Sequence, residues 1–189
     1  KELMQMFPLA KVAAYYKSGI KILVTADIII DDMNIVESIK NIESKQIIFT
    51  PDYNVGFYAK SFNLEKDIIV PHGFCPSLYG VTVDSINAVK LKHPESKILM
   101  HSESNYHTHK LADYIMGYDE AYDFLSGVER GSFILVFSHY FIARARADFP
   151  HLNIYRPDHN LKCAGVKSIN IESLPDALDK LQFNIEIPE

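Results

Sequence analysis

Cysteine is scarce in this chain: Cys75 and Cys163 are the only two in 189 residues. The opening residues, KELMQMFPLAKVAAYYKS, are too polar for the core of a secretory leader. A structural disulfide is therefore not expected. The two thiols are either small buried hydrophobes or ligands for a metal or cluster. No apolar run reaches about 18 residues, so no membrane span is expected. Basic runs are absent as well, and 19 Lys and Arg against 24 Asp and Glu leave a net charge of −5. Nucleic-acid binding has little electrostatic support on such a surface. Neither G-x-G-x-x-G nor G-x-x-x-x-G-K-[ST] occurs, which removes the dinucleotide fingerprint and the P-loop. An initiator Met is missing too, as expected of a piece of a longer protein.

What is present is a globular composition, 48% hydrophobic. At this length a chain buries roughly 70% of its unfolded surface, as one large domain or two small ones. Four apolar, strand-like runs each end in polar residues: IIFT before PDYN (47–54), DIIV before PHGFC (67–75), KILM before HSES (97–104) and FILVF before SHY (133–140). Period and punctuation predict further strands over 21–25, 27–32 and 153–155. Helices are predicted over 9–18, 34–40, 54–61, 82–92, 106–115, 119–126, 140–149 and 173–181, the last capped by Ser173 with Pro175 in its first turn. Alternating strands and helices argue for parallel sheets with crossover helices. The expected fold class is α/β, as two similar three-layer αβα units with short parallel sheets. Residues 1–75 form the first unit, 76–162 the second and 163–189 a C-terminal cysteine helix and tail. The division is set near 73–79, where Gly, Pro and Ser cluster.

Ligands of open α/β sheets gather beyond the carboxyl ends of the strands. Those ends carry Asp52, Asn54, His72, Cys75, His101, Glu103, Ser138 and His139. His101 and Glu103, two residues apart, can share one substrate. The imidazole donates to a carboxylate or takes a proton, and the carboxylate holds an amine or acts as a base. A solvated loop with a capping Ser is the bland alternative. His107-Thr108-His109 has the H-x-H spacing found in zinc sites. Inside a helix the two rings would point about 200° apart, so surface histidines are expected. Asp31 and Asp32, at the start of a predicted helix, suit its dipole and disfavour a phosphate there.

Taken together, the runs IIFTPDYNVGFYAK (47–60), HGFC (72–75), KHPESKILMHSES (92–104) and LAD with GYD (111–119) resemble quinolinate synthase, the A protein of bacterial NAD biosynthesis. Order and spacing hold from Asp27 to Cys163, most of the chain. The resemblance implies two of the family's three similar αβα domains. It implies condensation of dihydroxyacetone phosphate with iminoaspartate to quinolinate, in the cytoplasm, with neither nucleic acid nor membrane as partner. It also implies a [4Fe–4S] cluster on three cysteines with one open iron. Cys75 and Cys163 match two of those cysteines, His101 and Glu103 the substrate-facing catalytic pair, and Asn34 a substrate-binding Asn. The first domain and its cysteine are expected to be missing, which leaves a face suited to self-association. A Tyr-Val-Asn segment after the early strand is expected to be absent. Asp32 and Met33 replace the phosphate-handling Ser-Ser, Gly117-Tyr118-Asp119 replaces Gly-Ser-Thr, Leu78 replaces a His, and Ser138-His139 replaces Thr-Glu. These losses sustain an alternative: a relative that keeps the fold and binds a small anionic ligand or a protein partner without catalysis.

Overall fold

The computed structural model describes residues 2–158, 161–167, 170–182 and 184–187. Four strands, β1 (Lys11–Tyr15), β2 (Ile28–Ile30), β3 (Gln46–Thr50) and β4 (Asp67–Ile69), form a parallel sheet in the order β2-β1-β3-β4. A second parallel sheet, order β6-β5-β7-β8, is built from β5 (Lys97–His101), β6 (Tyr114–Met116), β7 (Ser132–Val136) and β8 (Asn153–Tyr155). Helices α1 (Glu2–Met6), α2 (Ile20–Leu23), α3 (Ile35–Lys40) and α4 (Tyr53–Phe62) accompany the first sheet. Then follow α5 (Pro76–Tyr79), α6 (Val83–Lys92), a 3-10 helix (Tyr106–Leu111), α7 (Tyr118–Ser126), α8 (His139–Asp148), α9 (Ala164–Lys167) and α10 (Ser173–Asp179). The molecule is thus α/β, with two similar helix-flanked parallel sheets. Among the described residues no helix is long and apolar enough to cross a membrane.

Every strand of the second sheet begins and ends 86 residues after its counterpart in the first. Registers repeat with them: Ala13 lies opposite Ile28 and Leu99 opposite Tyr114. So do the polar braces. Asp27 accepts from the Val12 N–H at 2.8 Å, and Asp113 from the Ile98 N–H at 2.7 Å. Ser18 Oγ donates to the Thr50 carbonyl, and Ser104 Oγ to that of Val136, both at 3.4 Å. Lys60 reaches the Ile68 carbonyl, and Arg146 that of Ile154. The short central strands are buried on both faces, as parallel sheets require. Ala13, Tyr15, Ile47, Phe49 and Ile68 lie in one core. Leu99, Ile134, Leu135 and Val136 lie in the other, with Leu78 from α5 and Ile86 from α6.

Four local expectations are corrected. The helix predicted over 9–18 is strand β1: two alanines favour a helix, but β2 and β3 pair with the segment on both sides and bury Val12 to Tyr15. Residues 21–25, read as a strand, lie in α2 and its C-terminal turn. The helix over 106–115 is a 3-10 helix followed by the three-residue strand β6, which pairs with β5. Ser173 opens α10 but does not cap it; Glu172 is the N-cap, and Ser173 Oγ donates to the Asn170 carbonyl at 2.9 Å. In the expected C-terminal segment, residues 168, 169, 183, 188 and 189 lie outside the described set.

Candidate functional site

The carboxyl ends of the two sheets meet. From the first come Tyr15, the last residue of β1, Lys17 just beyond it, Asp32 after β2 and Asp52 after β3; from the second, His101, the last residue of β5, Glu103 just beyond it, Tyr118 after β6 and Ser138 after β7. Lys17 Nζ lies 2.7 Å from Glu103 Oε1 and 3.9 Å from Asp32 Oδ2. Its ammonium also sits over the Tyr118 ring at 4.6 Å and the Tyr16 ring at 5.2 Å. Lys17 and Glu103 hold equivalent positions in the repeat, so each meets its own counterpart across the junction.

His101 is fully buried and both its ring nitrogens are committed. The Glu103 backbone N–H donates to Nδ1 at 3.1 Å, which makes Nδ1 an acceptor. The proton therefore sits on Nε2, which donates to Asp32 Oδ2 at 3.1 Å. Burial works against the Asp32 charge, but the hydrogen bond from His101 and the nearby Lys17 ammonium hold its carboxyl below the usual range. The expectation that Asp32 serves a helix dipole is corrected: α3 begins at Ile35, and Asp32 is the acceptor for His101.

Asp52 caps α4 through Oδ1, which accepts from the Asn54 and Val55 N–H groups at 2.8 and 3.2 Å. Its other oxygen accepts from the Cys75 N–H at 2.9 Å and ties down the cysteine loop. Burial, with the nearby Glu103 charge, pushes Asp52 up to about 6 against the opposing backbone hydrogen bonds. Burial likewise pushes the Cys75 thiol up; its Sγ lies 3.2 Å from the Ser77 hydroxyl. Ser138, the counterpart of Asp52, caps α8 with a neutral hydroxyl.

Two clefts flank this network. One, of about 350 Å³, is lined by Tyr15, Lys17, Asp52, Phe74, Cys75 and Glu103. The other, of about 200 Å³, is lined by Asp32, Asn34, Glu37, Ser102 and Glu120. Asp52, Cys75 and Glu103 are thus brought together, while Asn34 stands in the second cleft. Cys163 is half-buried and lines neither. His72 is exposed, and Asn54 is buried, accepting from the Tyr106 N–H at 3.0 Å. His139 lines neither cleft. Of the histidine pair only His107 is at the surface; His109 is buried and bonds the Ser104 carbonyl at 3.0 Å. Among the described residues no three His, Cys, Asp or Glu side chains are placed to hold a metal ion.

Sequence reasoning missed Lys17, Tyr15 and the role of Asp32, because it put a helix where β1 runs. The repeat held the signal: Tyr15-Tyr16-Lys17-Ser18 stands to β1 as His101-Ser102-Glu103-Ser104 stands to β5.

Comparison with known proteins matches the family described as quinolinate synthetase A protein (NadA) over residues 1–189. A quinolinate synthase of Caldicellulosiruptor saccharolyticus is 28% identical over 186 residues, 97% of this chain and 61% of that protein. One from Sulfurihydrogenibium sp. is 25% identical over 193 residues, covering 100% of this chain and 63% of the relative. Quinolinate synthase 2 of Methanosarcina acetivorans is 25% identical over 96% of this chain and 58% of its own length. The chain spans less than two thirds of the length of these relatives. It belongs to the quinolinate synthetase A family.

Proposed function

We propose that this chain is the substrate-handling part of a quinolinate synthase of the cytoplasm, acting on dihydroxyacetone phosphate and iminoaspartate in NAD biosynthesis. The observation that supports this most is the Lys17–Glu103 contact in a chain of this family: a carboxylate and an ammonium 2.7 Å apart on a cleft. Glu103 is the proposed base. One of its oxygens is held by Lys17, and the other lies 3.9 Å from His101 Nδ1, too far for a hydrogen bond. Lys17 is the proposed partner for a substrate carboxylate, which would compete with Glu103 for the same ammonium. His101 keeps its proton at Nε2 and fixes Asp32 and the Glu103 backbone. Asn34 is assigned a substrate contact in the neighbouring cleft.

Cys75 and Cys163 are proposed as two thiolate ligands of a [4Fe–4S] cluster. Cys75 suits this part, because it forms no disulfide and lines the same cleft as Glu103. Two thiols do not complete a three-thiolate site, and the described residues gather no third donor beside them. The roles given to Glu103, Lys17 and His101 are independent of the cluster.

Incubation with both substrates after anaerobic supply of iron and sulfide tests the reading. Quinolinate, detected by chromatography, is expected from the wild type and at least about 100-fold less from Glu103→Gln. Absence of quinolinate from the wild type counts against it. One observation favours a second reading, a ligand-binding relative without catalysis: Glu103 and His101 are already satisfied by Lys17 and Asp32. That reading predicts no quinolinate, together with a rise in Tm on adding phthalate that Lys17→Met abolishes.

A further inference from the structure

Beside its charged groups, the cleft of Lys17 and Glu103 has an apolar wall of Pro51, Gly73 and Phe74. Its volume, about 350 Å³, suits a small ligand with a single ring. The roles assigned above leave Phe74 without a part, yet its side chain is 48% exposed on this cleft.

The loop that carries Phe74 is fixed on both sides of it. The Tyr53 N–H donates to the Gly73 carbonyl at 2.6 Å, and the Cys75 N–H to Asp52 Oδ2 at 2.9 Å. The Cys75 carbonyl accepts from the Tyr79 N–H at 2.9 Å as α5 begins. Gly73 packs so closely on Pro51 that a Cβ there would collide with the Pro51 carbonyl. Tyr79 lies against the Phe74 ring, with centroids 4.4 Å apart and planes at 34°. Tyr53 meets the same ring edge to face at 6.3 Å. These contacts place the ring before a ligand arrives, which lowers the ordering cost of packing against it. Contacts between aromatic rings add to simple area burial, so a ring placed in this way favours a second ring.

We propose that Phe74 is the surface against which a flat ring packs in this cleft, and that it selects planar aromatic acids over saturated acids of equal charge. The inference rests on the reading of the cleft as a quinolinate site: the product is a planar pyridine dicarboxylate, whereas both substrates are open-chain. Lys17 supplies the cation for one carboxylate. Glu103 and Asp52 oppose the charge of such a ligand, so a comparison between acids of equal charge cancels their effect.

Calorimetric titration of the full chain tests this with two probes. Phthalate is the benzene analogue of the product, and cis-cyclohexane-1,2-dicarboxylate carries the same two carboxylates on a saturated ring. Phthalate is expected to bind saturably at one site, about two- to tenfold tighter than the saturated acid. Phe74→Leu keeps an apolar side chain and should abolish that preference, while Phe74→Tyr should retain it. Phe74 is exposed, so the fold is kept. No saturable binding of phthalate overturns the proposal. So does equal affinity of the wild type for the two acids, or a preference that survives in Phe74→Leu. The quinolinate assay is read separately. Quinolinate formed by a chain whose preference survives Phe74→Leu removes this inference alone. A Phe74-dependent preference in a chain that forms no quinolinate removes the catalytic reading and leaves the ring-binding surface.

Discussion

The two halves of this molecule share a skeleton and differ in chemistry. Eight strands keep one spacing, and the Asp27/Asp113, Ser18/Ser104 and Lys60/Arg146 braces recur almost bond for bond. At four strand-end positions the residues differ: Tyr15 stands where the second unit has His101, Lys17 where it has Glu103, Asp32 where it has Tyr118 and Asp52 where it has Ser138. Braces that satisfy backbone groups serve any copy of the fold, so both copies retain them. Strand ends meet the other unit instead, and there complementarity requires the two copies to differ: two lysines or two glutamates at positions 17 and 103 would repel.

The largest way to break this relation is Lys17→Met. It leaves the Glu103 and Asp32 carboxylates, 6% and 8% exposed, without their cation. Breaking a fully buried pair costs about 3–5 kcal/mol. Lys17 is one-third exposed, so about 2–3 kcal/mol is expected, measured by urea unfolding. Next is Asp52→Ser, which gives the first unit the neutral cap of the second. The folded value of Asp52, about 6, is above the ordinary 3.8, so its stabilising effect is complete below about pH 4 and lost as pH rises through about 6. Unfolding between pH 4 and 7 should show the wild type losing about 2–3 kcal/mol relative to the variant in cluster-free protein. Asp32, with its lowered value, acts in the opposite direction and cancels in that difference.

Smaller effects sharpen the comparison. Gly117 stands where the first unit has Asp31, and a Cβ there would meet the Asp32 carbonyl at 2.9 Å. Gly117→Ala should therefore cost about 1–3 kcal/mol by displacing that backbone, read from the urea midpoint. Asp27→Ala and Asp113→Ala should each cost about 1 kcal/mol by removing the acceptor of one strand N–H, and alike to within about 0.5, because the additional Lys11–Asp27 ion pair is exposed. A large inequality in their Tm shifts would break the claim that the braces are equivalent.

Much of the fold was legible because β3, β5 and β7 are apolar and β-branched, with polar stops that follow strand ends. β1 was not, since Ala13 and Ala14 give no local strand signal and depend on two neighbouring strands. β6 was absorbed into the end of the helix predicted over 106–115, because its three residues follow the 3-10 helix after only two others. Within the site, Glu103, Asp52 and Cys75 could be read from strand-end position alone. Lys17 could not, because its meaning lies in a partner 86 residues away. His101 was legible as a site residue but not as a saturated one, since only geometry shows both nitrogens bound.

The central claim is that Lys17 and Glu103 act as one unit across the junction. A double-mutant cycle of Lys17→Met and Glu103→Gln, followed by urea unfolding, tests it most directly. The account predicts a coupling of about 1–2 kcal/mol or more, with the double variant more stable than the sum of the single losses implies. Additive losses, with coupling within about 0.3 kcal/mol of zero, would contradict it.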